Sequence, residues 1–235
     1  RAKHLLALYD ILHNSRHREG RKDWLDKFKK LMRWPNGELI TRIDGKDKNS
    51  LLILRESIGL SSEKFAHYYV SELLRSSIVN SISAMDRYFH DLILNKSWSL
   101  LSKAENEIPK GIKSLPIPAY AVKKALEALR ADPKARPGNY LKKEIQSVLH
   151  KENTFQTVSG VDTAVSMLGL KDFWKTVGIG LGRSAGDTQK KLGSITRRRN
   201  QIVHEADIVP QTKGKEITLR DISRVEAEEA VLFIE

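Results

Sequence analysis

The 235-residue chain contains no cysteine. Disulfides, thiolate nucleophiles and cysteine-based zinc sites are excluded, and a cytoplasmic location is expected. No apolar run approaches the ~18 residues that a membrane span needs. The N-terminal RAKHLLALYD has only a short apolar stretch, broken by Tyr9 and Asp10, and does not read as a signal peptide. There is no initiator Met, and the chain stops inside the apolar stretch AVLFIE, as a fragment of a longer protein would. Internal repeats and low-complexity tracts are missing too.

Several motifs are incomplete. Gly178-Ile-Gly-Leu-Gly182 follows no predicted strand, lacks the GxGxxG spacing and precedes no Gly-Lys-Ser/Thr. It reads as a mobile joint between helices rather than a nucleotide cradle. His13 and His17 stand four apart, but there is no HExxH and no obvious third ligand. A solvated helix face is the better reading, and neither a metal nor a cofactor is expected. Trp24, Trp34, Trp98 and Trp174 are read as core or joint-packing residues rather than base-stacking platforms.

Acidic residues are also short: 29 Asp and Glu stand against 41 Lys and Arg, a net charge of +12. Such a surface attracts polyanions, and RNA or DNA is the first candidate. The first fifty residues hold thirteen of the basic and seven of the acidic side chains, half of the excess.

What remains reads as helix nearly throughout, because two-residue alternation is not sustained anywhere. Short helices are expected at 3–13 and 22–33, and a small hairpin at 38–43. A long helix is expected from Ser62 to Asn95, capped by Ser61-Ser62, with Ile78, Ile82, Met85, Phe89, Leu92 and Ile93 as its apolar stripe. Further helices are predicted at 119–130, 138–150, 161–168 and 171–177. One from Asp187, its expected N-cap, reaches Ala206, and a last one begins at a Thr218–Asp221 capping box.

The stretch Arg197-Arg-Arg-Asn-Gln-Ile-Val-His204-Glu-Ala-Asp207 carries chemistry. On a helix, Leu192, Ile195, Ile202 and Val203 line the buried face. Gly193, Arg197, Asn200 and His204 form a neighbouring stripe, so Asn200 and His204 can touch. Arg199 and His204 point about 140° apart on an ideal helix. They can converge if the helix loosens near His204, or if a second subunit supplies one of them. Arginine holds phosphate bidentately and stays charged. Histidine can move the proton of a ribose 2′-hydroxyl or of a leaving oxygen. Asparagine can orient either. Spacing alone also fits a solvated basic face with His204 as a helix-end cap.

The order of segments adds to this. Arg199-Asn200-Gln-Ile-Val-His204 resembles the Arg-Asn-x-x-x-His motif of HEPN domains. SAMDRYFHDLI, IPAYAVKKALEAL and TFQTVSGVDTAVSMLGLKDFW, in that order before it, are similar to the RiboL-PSP-HEPN family. The resemblance covers about residues 60–235. It implies an all-α antiparallel helical bundle of HEPN type over 59–235; residues 1–58, which the resemblance does not reach, read from their own pattern as a basic N-terminal helical extension. It implies a metal-independent endoribonuclease in a toxin or antiphage defence system, with Arg199, Asn200 and His204 as catalytic residues. RNA is the implied partner, with Arg197, Arg198, Lys190 and Lys191 as its contacts. A homodimer is implied, and an antitoxin or a larger defence protein as further partners. Asp86 stands as either a supporting acidic residue or a plain surface carboxylate. Some members of the family are non-catalytic RNA-binding or interaction modules, which is the alternative.

Overall fold

The computed structural model describes residues 1–13, 16–17, 21–44, 51–59, 65–132, 137–210 and 217–235. By packing they fall into two units: residues 1–80 with 207–233 and 235, and residues 81–206 with 234.

The first unit begins with α1, Ala2–His13, which buries Leu6 and Tyr9. The Tyr9 hydroxyl pairs with His67 Nδ1 at 3.0 Å, and its ring stacks on His13 with centroids 4.8 Å apart. The His13/His17 spacing is not helical, because His17 lies in a strand, β1, Arg16–His17. Helix α2, Lys22–Met32, follows. Strands β2, Ile40–Asp44, and β3, Leu51–Arg55, pair antiparallel, with β1 on the other edge of β2.

The hairpin expected at 38–43 is therefore displaced, since that segment supplies one arm only. β-Branched Ile40, Thr41 and Ile43 suit the first arm. The second, LLILR, is a continuous apolar run without alternation, which hides a strand from a periodicity reading. Trp24 stacks on Phe28 and Phe28 meets Trp34 edge-on, while Arg42 and Arg55 lie over the two indoles. Both tryptophans thus pack a joint. Glu38 accepts from Arg55 at 2.8 Å and from the Ser57 backbone, and these bonds hold its carboxyl at about 2.

Helix α3, His67–Leu101, runs through both units. Ile78, Ile82, Phe89 and Ile93 of its predicted stripe are buried, and Met85 and Leu92 half-buried. The helix outlasts its predicted end at Asn95, and the Ser61-Ser62 cap lies outside the described residues. In the first unit Arg75 is enclosed by acceptors. Its Nε donates to Asp207 at 2.6 Å, Nη1 to Ser71 and Glu72, and Nη2 to the Arg220 carbonyl.

The second unit holds α4, Lys110–Lys113; α5, Ala119–Ala131; α6, Pro137–Glu152; α7, Val158–Leu168; α8, Phe173–Gly180; and α9, Ala185–His204. Helices α5 and α6 pack together, as do α4 with α7, and α8 with α9. Short connections join α5 to α6 and α8 to α9, so each of these packed pairs runs antiparallel. Phe155, Ile145, Leu149, Val161 and Leu192 are among its buried side chains. Burying a side chain of this kind contributes roughly 1.5–3 kcal/mol. The Gly178–Gly182 stretch is a tight joint. A Cβ on Gly178 would come within 2.7 Å of the Arg183 carbonyl oxygen, and Gly182 sits at φ +63.

The last helix, α10, Arg224–Ile234, is capped by Ser223, whose Oγ accepts from Glu226 N at 3.0 Å. The capping box expected at Thr218 is not used. Leu219 instead bridges to Ile208 in extended backbone, so the helix starts later.

Candidate active site

Helix α9 begins one turn earlier than the sequence suggests. Ser184 is the cap: its Oγ accepts from Asp187 N at 3.1 Å and donates to the Asp187 carboxylate at 2.6 Å. Asp187 is thus the reciprocal partner in the first turn, where its charge also suits the helix dipole. Thr188, Leu192, Ile195 and Thr196 face inward. Ile202 is only half-buried and Val203 is 44% exposed, against expectation. The buried face therefore fades over the turn that carries the motif. The helix closes at His204, and Ala206 and Asp207 take φ of 49° and 57°. Left-handed backbone at two non-glycine residues ends the helix abruptly.

Arg199 and His204 meet within one chain. Arg199 Nη1 lies 3.5 Å from His204 Nε2 and donates to Asn200 Oδ1 at 3.0 Å. The helix does not loosen to allow this, since α9 is regular through His204. The long arginine side chain crosses the angle instead. A guanidinium can only donate, so in a bond across this gap Nε2 is the acceptor. Asn200 bonds to Arg199 rather than to His204, so it orients the guanidinium. Arg199 Nε is shut off from solvent and has no hydrogen-bond partner. Nε and Nη2 form the side-on fork that arginine offers to phosphate and carboxylate.

The four expected RNA contacts divide into two pairs. At ~100° per residue, Lys190 and Arg197 project within about 40° of His204. Both are exposed, like Asn200 and His204. Lys191 and Arg198 fall on another flank and are half-buried.

Two residues that the sequence did not single out brace this end of α9. Thr196, 6% exposed, donates from Oγ1 to the Gln156 carbonyl at 2.7 Å. Gln156 Nε2 in turn donates to Asp86 at 3.1 Å, and Asp86 also takes the Phe155 N–H at 2.6 Å. Asp86 therefore holds the 155–156 segment to α3 rather than contacting Arg199 or His204, and it is half-buried rather than a plain surface group. Its neighbour His90 is buried, stacks on His150 with centroids 4.5 Å apart, and leaves Nδ1 without a partner. Burial lowers the His90 titration, with His150 and Arg87 adding to the effect and Asp86 and Asp91 opposing it. Among the described residues, no three His, Asp or Glu side chains are grouped as a metal would need. No described helix is long and apolar enough to cross a membrane.

Residues 46–234, most of the chain, match the RiboL-PSP-HEPN family. The chain belongs to the RiboL-PSP-HEPN family. HEPN domains are generally ribonuclease-like and typically bind RNA, so function at this level is ribonuclease-type or nucleotide-related. No curated protein and no solved structure matches the chain.

Proposed function

We propose that this HEPN protein is a metal-independent endoribonuclease, and that Arg199, Asn200 and His204 are its catalytic residues. The observation that carries the reading is the approach of Arg199 Nη1 to His204 Nε2, with the guanidinium's Nε left without an acceptor. A scissile phosphate taken at the Nη1–Nη2 end of the guanidinium would sit beside the imidazole. A neutral imidazole takes the proton of the 2′-hydroxyl, and the 2′-oxygen bonds to phosphorus. The pentacoordinate phosphorane gains negative charge, which a positioned guanidinium stabilises more than it does the ground state. The bond to the 5′-oxygen breaks, and an imidazolium returns a proton to that oxygen. The products are a 2′,3′-cyclic phosphate and a 5′-hydroxyl.

A two-fold homodimer would bring two motifs to one cleft, one imidazole acting as base and the other as acid. Exposed Val203 beside the motif suits such a contact. Lys190 and Arg197 would guide the strand along the His204 stripe. A cytoplasmic toxin or antiphage effector, restrained by an antitoxin or a larger defence protein, is the setting that fits an RNA-cleaving activity of this kind.

The test is incubation with a single-stranded RNA and its 2′-deoxy counterpart, both in EDTA. Cleavage of the ribose substrate alone is expected. Arrest by EDTA, or equal cutting of the deoxy substrate, contradicts the mechanism. RNA binding with no cleavage at all would instead favour a non-catalytic binding module.

A further inference from the structure

Away from α9, exposed aromatic rings and lysines interleave across the first two turns of α6. Tyr140 is 48% exposed, Tyr120 on α5 is 53% exposed and Trp98 on α3 is 45% exposed. Two of the three rings are held in place. The Tyr120 hydroxyl donates to Glu144 at 2.7 Å, and Lys124 Nζ stands 5.7 Å above its ring. The Trp98 indole lies so close to Gly138 that a Cβ there would be 2.7 Å from its Cδ2. Lys142 reaches Asn95 at 3.5 Å beside it.

Helix geometry orders these groups around α6. At ~100° per residue, Gly138 and Lys142 share the flank that meets α3, Glu144 marks the flank that meets α5, and Lys143 and Tyr140 lie on the outer arc between. The resulting band runs Trp98, Lys142, Lys143, Tyr140, Tyr120, Lys124. Its nearby carboxylates are engaged, Glu144 by Tyr120 and Glu127 by Lys123 at 3.8 Å.

We infer that this band is a second RNA site, which holds a single strand by base stacking on the rings and phosphate pairing with the lysines. Every base has a π-face, so fixed exposed rings beside cations bind single strands with little regard to sequence. Lysine is depleted at the centre of protein–protein interfaces, whereas here it alternates with the rings. The exposed aliphatic residues of α5, Val122 and Leu126, project about 120–160° from Tyr120 and lie outside the band. The inference rests on RNA being the ligand of this protein, but not on its being cut.

The experiment uses the full chain and a fluorescein-labelled single-stranded 2′-O-methyl RNA, read by anisotropy. The methyl group blocks internal attack, so binding is measured apart from cleavage. The double variant Lys142→Glu/Lys143→Glu should weaken binding about tenfold or more. Its log–log salt slope should be shallower by about 0.7 for each lysine–phosphate pairing that the substitution removes. Tyr140→Ala should weaken binding about tenfold, and Tyr140→Phe should retain it, because the ring does the stacking. Unchanged affinity in the double variant and in Tyr140→Ala, as a protein-docking face would give, overturns the inference. If ordinary RNA is bound and never cut, the cleavage reading falls while these affinities still decide the site.

Discussion

Arg75 and Arg199 are both set on helices and both bond to residues nearby, yet they are satisfied to different degrees. Arg75 donates to Asp207, Ser71, Glu72 and the Arg220 carbonyl, and its side chain is 5% exposed. Arg199 bonds through one nitrogen only, to Asn200 and His204, and leaves a buried Nε without an acceptor. A guanidinium whose three nitrogens all bond to the surrounding fold is a structural pin. One whose buried Nε has no acceptor carries a desolvation cost that the fold itself does not offset.

Substitution at the two arginines sharpens that contrast most. Arg75→Ala should lower stability by about 3–5 kcal/mol, since Asp207, 1% exposed, would be left without its main counter-charge. Urea unfolding followed by circular dichroism would read this as an earlier midpoint. Arg199→Ala should leave that midpoint nearly in place and reduce RNA cleavage by roughly 10²–10³-fold. If Arg199→Ala unfolds the protein while Arg75→Ala does not, the assignment of roles is reversed.

The brace below the motif should give an intermediate effect. Thr196→Val removes the hydroxyl and leaves the Gln156 carbonyl without its bond, at a cost of about 1–3 kcal/mol. Cleavage should fall through kcat more than KM, and Thr196→Ser should restore both. A Thr196→Val variant with full kcat would confine this bond to stability.

The His90 environment adds a pH dependence. Its folded-state titration lies below the ordinary 6.5, so below that pH the unfolded chain binds more protons than the folded one. The stability this group contributes should be fully present above about pH 6.5 and be lost progressively as pH falls toward its folded value. His90→Phe should flatten that window in thermal melts. An undiminished loss of stability in the variant would assign the effect elsewhere. The smallest effect separates the two basic pairs: Arg197→Ala should reduce the salt slope of RNA binding by about 0.7, and Arg198→Ala should not.

The helices are legible in the sequence because their apolar residues repeat at helical spacing. Helix α9 can be placed to within two residues for this reason, and α3 to within about two turns. Their caps are less legible, since Ser184 and Asp187 are both good cap residues and only the backbone decides between them. Strand β3 escapes because LLILR has no alternation. The site is legible as a set of residues but not as a geometry. Wheel angles separate Arg199 from His204, and only the reach of a long side chain closes the gap. The Thr196–Gln156–Asp86 chain joins residues 40 and 70 positions apart, and no local pattern encodes such a link.

The central claim is that His204 moves protons in RNA cleavage, beside a guanidinium that holds the phosphate. Single-turnover cleavage of an end-labelled RNA in EDTA, comparing the unaltered chain with His204→Ala, tests it most directly. The unaltered chain should leave 2′,3′-cyclic phosphate and 5′-hydroxyl ends. His204→Ala should cut more slowly by roughly 10²–10⁴-fold, with its fold and RNA affinity nearly unchanged. Full-rate cleavage by His204→Ala, or 3′-hydroxyl and 5′-phosphate ends, would contradict it.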